Sequence, residues 1–217
     1  RKLTPAISAE LARWAQKNGI ARVTINGNIA AEFAPASVQF GNARIALAPE
    51  SFLQPTREGE TALREKVVAG VKNARTVADL FAGCGTFTFP LAVKAKVHAV
   101  ELDKSALAAI AAAARVTQGL KPITTEARDL FKVPLSGDEL RPFDAVVMDP
   151  PRAGAQAQAT ALAASSVRRI AYGVCNAESF GRDARILVAG CYKSGAVTPV
   201  DQFLWPSHIE LVAAFTR

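Results

Sequence analysis

Val77-Ala78-Asp79-Leu80-Phe81-Ala82-Gly83-Cys84-Gly85-Thr86-Phe87 is the stretch from which the fold is read. A short apolar run carrying one acid leads into two glycines and then into a helical segment. This pattern marks a strand ending at the carboxyl edge of a parallel sheet, where glycine lets backbone approach a ligand closely. A nucleotide-like ligand is therefore expected at this turn. A dinucleotide fingerprint would carry a third glycine where Thr88 stands. Asp79 beside the turn would repel a pyrophosphate, whereas a cationic ligand can use it.

Outward from this segment, strand-like runs lie at Thr76–Phe81, Val97–Glu101, Ile123–Glu126, Ala145–Asp149 and Ile170–Val174. Helical spacing runs from Lys104 to Gln118 and from Ser179 to Ala189, with Asp103 and Asn176 as starting residues and Gly190 at a left-handed stop. The alternation predicts an α/β fold with a doubly wound, mostly parallel sheet. Ala196–Gln202 and Ile209–Phe215 are too close for a helical crossover, so the last strands should pair antiparallel.

Before this domain, Arg57 to Asn73 carries Leu63, Val67, Val68 and Val71 at helical spacing, a core stripe. Residues 1–50 read as a small α+β appendage: a helix from Ser8 to Asn18, a hairpin around Asn26-Gly27, and runs Ser37–Phe40 and Arg44–Leu47 flanking Gly41-Asn42. The expected division is an appendage over 1–50, suited to contacting RNA, and the main domain over 51–217.

The 217 residues are 50% hydrophobic, enough for a sizeable core. Charged residues interrupt every apolar run short of membrane-spanning length, so a cytoplasmic protein without membrane contact is expected. The chain opens on Arg1 and its one methionine is Met148, which reads as a trimmed fragment. Cys84, Cys175 and Cys191 are odd in number and widely spaced, which argues for reduced thiols and against disulfides or a metal site. Cys84 and Cys191 read as packing residues, and His98 as polar surface. A net charge of +7 suits a protein that meets phosphates, although many basic proteins bind no nucleic acid.

Acids recur at successive strand ends. Glu101 closes the second strand, 22 residues after Asp79, where a carboxylate can accept ribose hydroxyls. Asp129 follows the third strand and Asp149 the fourth. Each alone is as readily a solvated loop carboxylate; together they describe a cofactor rim.

At this point the chain resembles the class I methyltransferases, and more closely the RNA 5-methyluridine methyltransferase family acting on transfer and ribosomal RNA. The resemblance spans about Ser51 to Arg217. It rests on Phe52-Leu53-Gln54, Asp79-Leu80-Phe81-Ala82-Gly83-Cys84-Gly85, Asp149-Pro150-Pro151-Arg152, Val174-Cys175-Asn176 and His208-Ile209-Glu210. It implies S-adenosylmethionine as cofactor, held by Gln54, Asp79, Phe81, Gly83, Glu101, Asp129 and Asp149, with no metal. It implies Cys175 as nucleophile and Glu210 as proton acceptor, with Arg152, Asn176 and His208 toward the RNA. Relatives commonly have Ser before the cysteine and Pro after the asparagine, where this chain has Val174 and Ala177. Many also carry an N-terminal RNA-binding barrel and some an iron–sulfur cluster, neither legible here.

The chemistry fits these residue types. Carbon 5 of uracil becomes nucleophilic once a thiolate adds to carbon 6, and a carboxylate can then remove the carbon-5 proton. Cys175 follows a parallel strand and Glu210 begins an antiparallel one, so both reach the edge where Asp79, Glu101 and Asp149 lie. Pro150 and Pro151 form a stiff wall for a flipped base, with Arg152 suited to phosphate or to uracil oxygen 4. Phe203 and Trp205 could stack on a base or pack. The expected function is uridine carbon-5 methylation by a monomer, in ribosomal rather than transfer RNA. The alternatives are a cytidine carbon-5 enzyme, which would need Pro-Cys where Pro150-Pro151 stands, and an RNA-binding module without catalysis, which would lack Cys175 or Glu210.

Overall fold

A computed structural model describes residues 4–202 and 209–217. Helix α1 (Pro5–Lys17) opens with Thr4 as its cap and lies on the hairpin β1 (Arg22–Ile25) and β2 (Asn28–Glu32), whose turn residues Asn26 and Gly27 both have positive φ. A second hairpin follows, β3 (Ser37–Phe40) with β4 (Ala43–Ala46). Then come α2 (Arg57–Gly70), β5 (Thr76–Leu80), the short α3 (Thr88–Ala92), β6 (Lys96–Glu101), α4 (Lys104–Val116) and β7 (Ile123–Ala127). The chain continues with β8 (Ala145–Met148), α5 (Gln156–Ala163), β9 (Arg169–Val174), α6 (Ala177–Ala189), β10 (Lys193–Ser194), β11 (Thr198–Val200) and β12 (Glu210–Thr216).

The large sheet has the order β10-β12-β9-β8-β5-β6-β7, with β11 also paired to β12. The five strands from β5 to β9 are parallel and β12 runs against β9, as expected. Because β5 has β6 on one side and β8 on the other, its carboxyl end is the switch point of the winding, where such sheets open a crevice.

Successive residues of a strand face opposite sides, so a sheet covered by helices on both faces needs apolar side chains throughout. In β9, Ile170 and Tyr172 join one cluster with Phe180, Leu187 and Phe215, while Ala171 joins the other with Leu63, Val67 and Val147. The stripe Leu63, Val67 and Val71 is buried as read from its spacing.

A third cluster crosses the expected division at residue 50. Phe40, Ala43 and Ile45 of the second hairpin are fully buried among Phe89, Leu107 and Ile110. Short strands gain stability only by covering an apolar face, and α4 provides one.

Helix α5 is not evident from spacing, because a run of alanine and glutamine carries little amphipathic pattern. Asp103 and Asn176 cap α4 and α6 through side-chain hydrogen bonds. Gly190 has φ −80, so it is not a left-handed stop; Cys191, at φ 70, is. A β-carbon on Gly190 would come within 2.6 Å of Ala163, which is the reason for glycine there. Cys191 is exposed rather than packed, and Cys84 is buried. His98 is not bare surface: it bonds Thr124 and Glu126 and stacks on Phe143. Among the described residues, no helix is long and apolar enough to cross a membrane.

Candidate active site

The β5 strand delivers Asp79 to the switch point with only 1% of its surface exposed. One carboxylate oxygen accepts a 2.5 Å hydrogen bond from the Thr88 hydroxyl, and the other has no partner among the described residues. Burial lifts its pKa to about 7 against the pull of that hydrogen bond, and the charges of Asp149 and Glu101 add to the rise. The next turn is tight. Phe81 is held at φ 61, a conformation that costs a non-glycine residue about 1 kcal/mol or more and that gathers at functional sites. Gly85 sits at φ 97, and a β-carbon there would lie 2.7 Å from the Phe89 ring.

Glu101 at the end of β6 is tied to this turn. One oxygen accepts from the Gly83 amide at 3.0 Å, the other from the amides of Leu102 and Asp103. Asp129, beyond β7, accepts from the Phe131 amide and pairs with Lys132 at 3.0 Å, which lowers its pKa. The Phe81 and Phe131 rings approach to 5.3 Å, bridging the ends of β5 and β7. The Gln54 side-chain oxygen accepts a 2.6 Å hydrogen bond from the side-chain amide of Gln202, just beyond β11.

The remaining groups cluster where β8, β9 and β12 meet. Asp149 follows β8 and desolvation raises its pKa to about 6. In β12, Leu211 pairs with Val174, which sets Glu210 opposite Cys175 at the end of the ladder. Glu210 is 4% exposed, and one of its oxygens has no partner among the described residues. Burial and then the charge of Asp149 push its pKa to about 8. The Cys175 thiol is half-buried; burial and the Glu210 charge raise its pKa, while the exposed Arg152 favours the thiolate.

The structure thus gathers Asp79, Phe81, Gly83, Glu101, Asp149, Cys175 and Glu210 on one rim, with Asp129 beyond the end of β7, while Gln54 is tied to Gln202. Asn176 uses its side-chain oxygen as the α6 cap, accepting from Glu178 and Ser179, so only its amide nitrogen is left for a ligand. His208, Phe203 and Trp205 lie outside the described residues. Three participants escaped sequence reasoning: Thr88, Gln202 and Asp183, whose contacts are side-chain bonds across 9 to 148 positions of chain. Among the described residues, no group of three or more metal-binding side chains is assembled. Buried carboxylates with raised pKa and unpartnered oxygens suit a ligand carrying positive charge.

The sequence model of the tRNA (uracil-5-)-methyltransferase family matches residues 36–217. An uncharacterized RNA methyltransferase of Rhizobium meliloti (strain 1021) is 49% identical over 201 residues, covering 93% of this chain and 48% of the relative. The 23S rRNA (uracil(1939)-C(5))-methyltransferase RlmD of Marinomonas sp. (strain MWYL1) is 32% identical over 225 residues, covering 96% of this chain and 50% of the relative. Among solved structures, the Pyrococcus abyssi tRNA (uracil-54, C5)-methyltransferase in complex with S-adenosyl-L-homocysteine superposes with a TM-score of 0.74 at 25% identity, over 89% of this chain and 48% of that one. The chain spans about half the length of the curated relatives it matches.

Proposed function

The chain belongs to the tRNA (uracil-5-)-methyltransferase family, and on that premise we propose that it forms the catalytic part of an S-adenosylmethionine-dependent enzyme methylating carbon 5 of uridine in RNA. The observation that carries this reading is the pairing at the rim. A half-buried thiol and a buried carboxylate face each other across the β9–β12 ladder, beside the half-buried Asp149. Ribosomal RNA is the favoured substrate, since the relative named for 23S rRNA is 32% identical over 225 residues. The enzyme acts as a cytoplasmic monomer without membrane contact.

The crevice fits a cationic, ribose-bearing ligand. Asp79, Asp149 and Glu210 all resist ionising when alone together, and a positive ligand relieves that strain. Gln54, Asp79, Phe81, Gly83, Glu101, Asp129 and Asp149 would hold S-adenosylmethionine, which supplies an electrophilic methyl group when bound. Cys175, its proton lost to solvent under the influence of Arg152, attacks carbon 6 of uracil, forming the carbon–sulfur bond and leaving carbon 5 enolate-like. Carbon 5 would then take the methyl group, the electrons of the broken methyl–sulfur bond staying with sulfur so that the uncharged thioether S-adenosylhomocysteine is left. Glu210 then accepts the carbon-5 proton, the electrons of that bond restore the carbon 5–carbon 6 double bond, and the Cys175 thiolate leaves. Arg152, Asn176 and His208 are assigned to RNA contact, with Pro150 and Pro151 walling the flipped base.

RNA carrying 5-fluorouridine tests the reading, because fluorine cannot be removed as a proton and the adduct persists. Incubated with S-adenosylmethionine and such RNA, the protein should form a covalent complex that Cys175→Ala abolishes. A complex still formed by Cys175→Ala overturns the assignment.

A further inference from the structure

One fully buried carboxylate lies outside the rim and joins its two halves. Asp183, on α6, has no exposed surface. One of its oxygens accepts from the Tyr172 hydroxyl at 2.7 Å and from the Ala155 amide at 2.6 Å. The other accepts from Arg182 Nε at 2.8 Å, and Arg182 Nη2 in turn donates to the Ala153 carbonyl at 2.8 Å.

The two elements so joined matter. Tyr172 stands on β9, three residues before Cys175, with its ring stacked at 5.4 Å on Phe180. Ala153 and Ala155 belong to the loop that leaves β8 through Asp149-Pro150-Pro151-Arg152. Between them, Gly154 turns at φ 74 and donates to the Pro151 carbonyl at 2.8 Å. A β-carbon on Gly154 would meet both Arg182 Nη2 and the Asp183 carboxylate at 2.6 Å, so the loop is seated directly on this pair.

We propose that Asp183 is a positioning residue, setting the separation between the strand that delivers Cys175 and the loop that walls the base. The inference rests on the reading above of Cys175 as nucleophile and of the Asp149–Arg152 loop as the wall of the base. Packing alone is poorly served by such a group. Withdrawing a carboxylate from water is expensive, and apolar residues of similar volume often stabilise a fold as well or better. What the carboxylate adds is direction: three fixed donors leave loop and strand one relative position. Proline removes backbone donors from the loop at 150 and 151; the bonds at Ala153 and Ala155 tie the loop to α6, while Gly154 closes it on Pro151. A displacement of about 1 Å in such a site can lower a rate about a hundredfold.

The test uses the full-length protein in two variants, Asp183→Asn and Tyr172→Phe. Two quantities are measured: the rate of adduct formation with 5-fluorouridine RNA at saturating S-adenosylmethionine, and the Kd for S-adenosylhomocysteine. The adduct rate should fall about tenfold to a hundredfold in Asp183→Asn and at least threefold in Tyr172→Phe, with the Kd within about twofold of wild type in both. Adduct rates within twofold of wild type in both variants overturn the inference. So does a Kd that weakens in proportion to the rate, which marks general damage to the fold. Should Asp183→Asn fail to fold, Tyr172→Phe decides by the same criteria. Absence of an adduct in the wild-type protein instead overturns the catalytic reading itself, and the positioning role with it.

Discussion

Glu210 faces Cys175 across the β9–β12 ladder, one position beyond the pairing of Leu211 with Val174. A carboxylate on an antiparallel strand thereby reaches the thiol that ends a parallel one. If Glu210 takes the carbon-5 proton, Glu210→Gln leaves addition and methyl transfer possible and blocks departure of the thiolate. With ordinary uridine RNA, this variant should accumulate a methylated covalent complex and lose turnover by about a hundredfold or more. Denaturing electrophoresis with labelled RNA reads the complex. Turnover equal to wild type excludes the base role.

The raised carboxylates make unliganded stability depend on pH in a definite direction. The folded pKa of Glu210 is about 8 against an ordinary 4.5, so between these values the folded state holds a proton that the unfolded state has lost. Stability is therefore lost as pH rises from about 4.5 toward 8, and each unit of displacement is worth about 1.4 kcal/mol. Glu210→Gln removes the ionisation. Its melting temperature relative to wild type should rise between pH 5 and pH 9; a constant difference across that range counts against a buried, protonated Glu210.

Asp79 gives a related prediction for ligand binding. With its pKa at about 7, it is partly protonated at neutral pH, and a cationic ligand favours the ionised form. S-adenosylmethionine binding at pH 7 should release protons, seen calorimetrically as a heat that changes with the ionisation enthalpy of the buffer. Asp79→Asn should release fewer and bind about tenfold more weakly. Identical buffer dependence in the two proteins argues against Asp79 as the source.

Gly85→Ala probes the turn. The new methyl would lie 2.7 Å from the Phe89 ring and 3.2 Å from Ile110 at a backbone φ of 97. A loss of about 1–3 kcal/mol is expected, a fall in melting temperature of about 2–4 °C per kcal/mol. The penalty should shrink in a Phe89→Leu background. Unchanged melting of the single variant contradicts the close packing.

The hairpin of β3 and β4 should behave as part of the main domain. Phe40→Ala empties a fully buried site and should destabilise by about 3–5 kcal/mol. Removing residues 1–35 should leave cooperative unfolding intact, whereas removing 1–47 should abolish it. Equal melting of the two truncated proteins places the hairpin outside the core.

Local pattern alone determined much of this protein. The strands from β5 to β9 and β12, the caps Asp103 and Asn176, the Asn26-Gly27 turn and the acids at successive strand ends are all legible, because each depends on residues within a few positions of one another. Winding rules then brought Cys175 and Glu210 to one edge. Tertiary structure decided the rest. The helix α5 has no amphipathic signal, Gly190 is small because Ala163 approaches it, and the hairpin at 37–46 joins the core through contacts with α4 some 65 residues away. The states of the site belong to the same class. The pKa values of Asp79, Asp149 and Glu210 are raised because burial disfavours their charge, with the charge of Asp149 adding to the rise at Asp79 and Glu210, and Asp183 is ion-paired because Arg182, Tyr172 and Ala155 surround it. Periodicity shows which residues reach the rim; solvent exclusion and long-range hydrogen bonds, which exist only after folding, decide what those residues can do there.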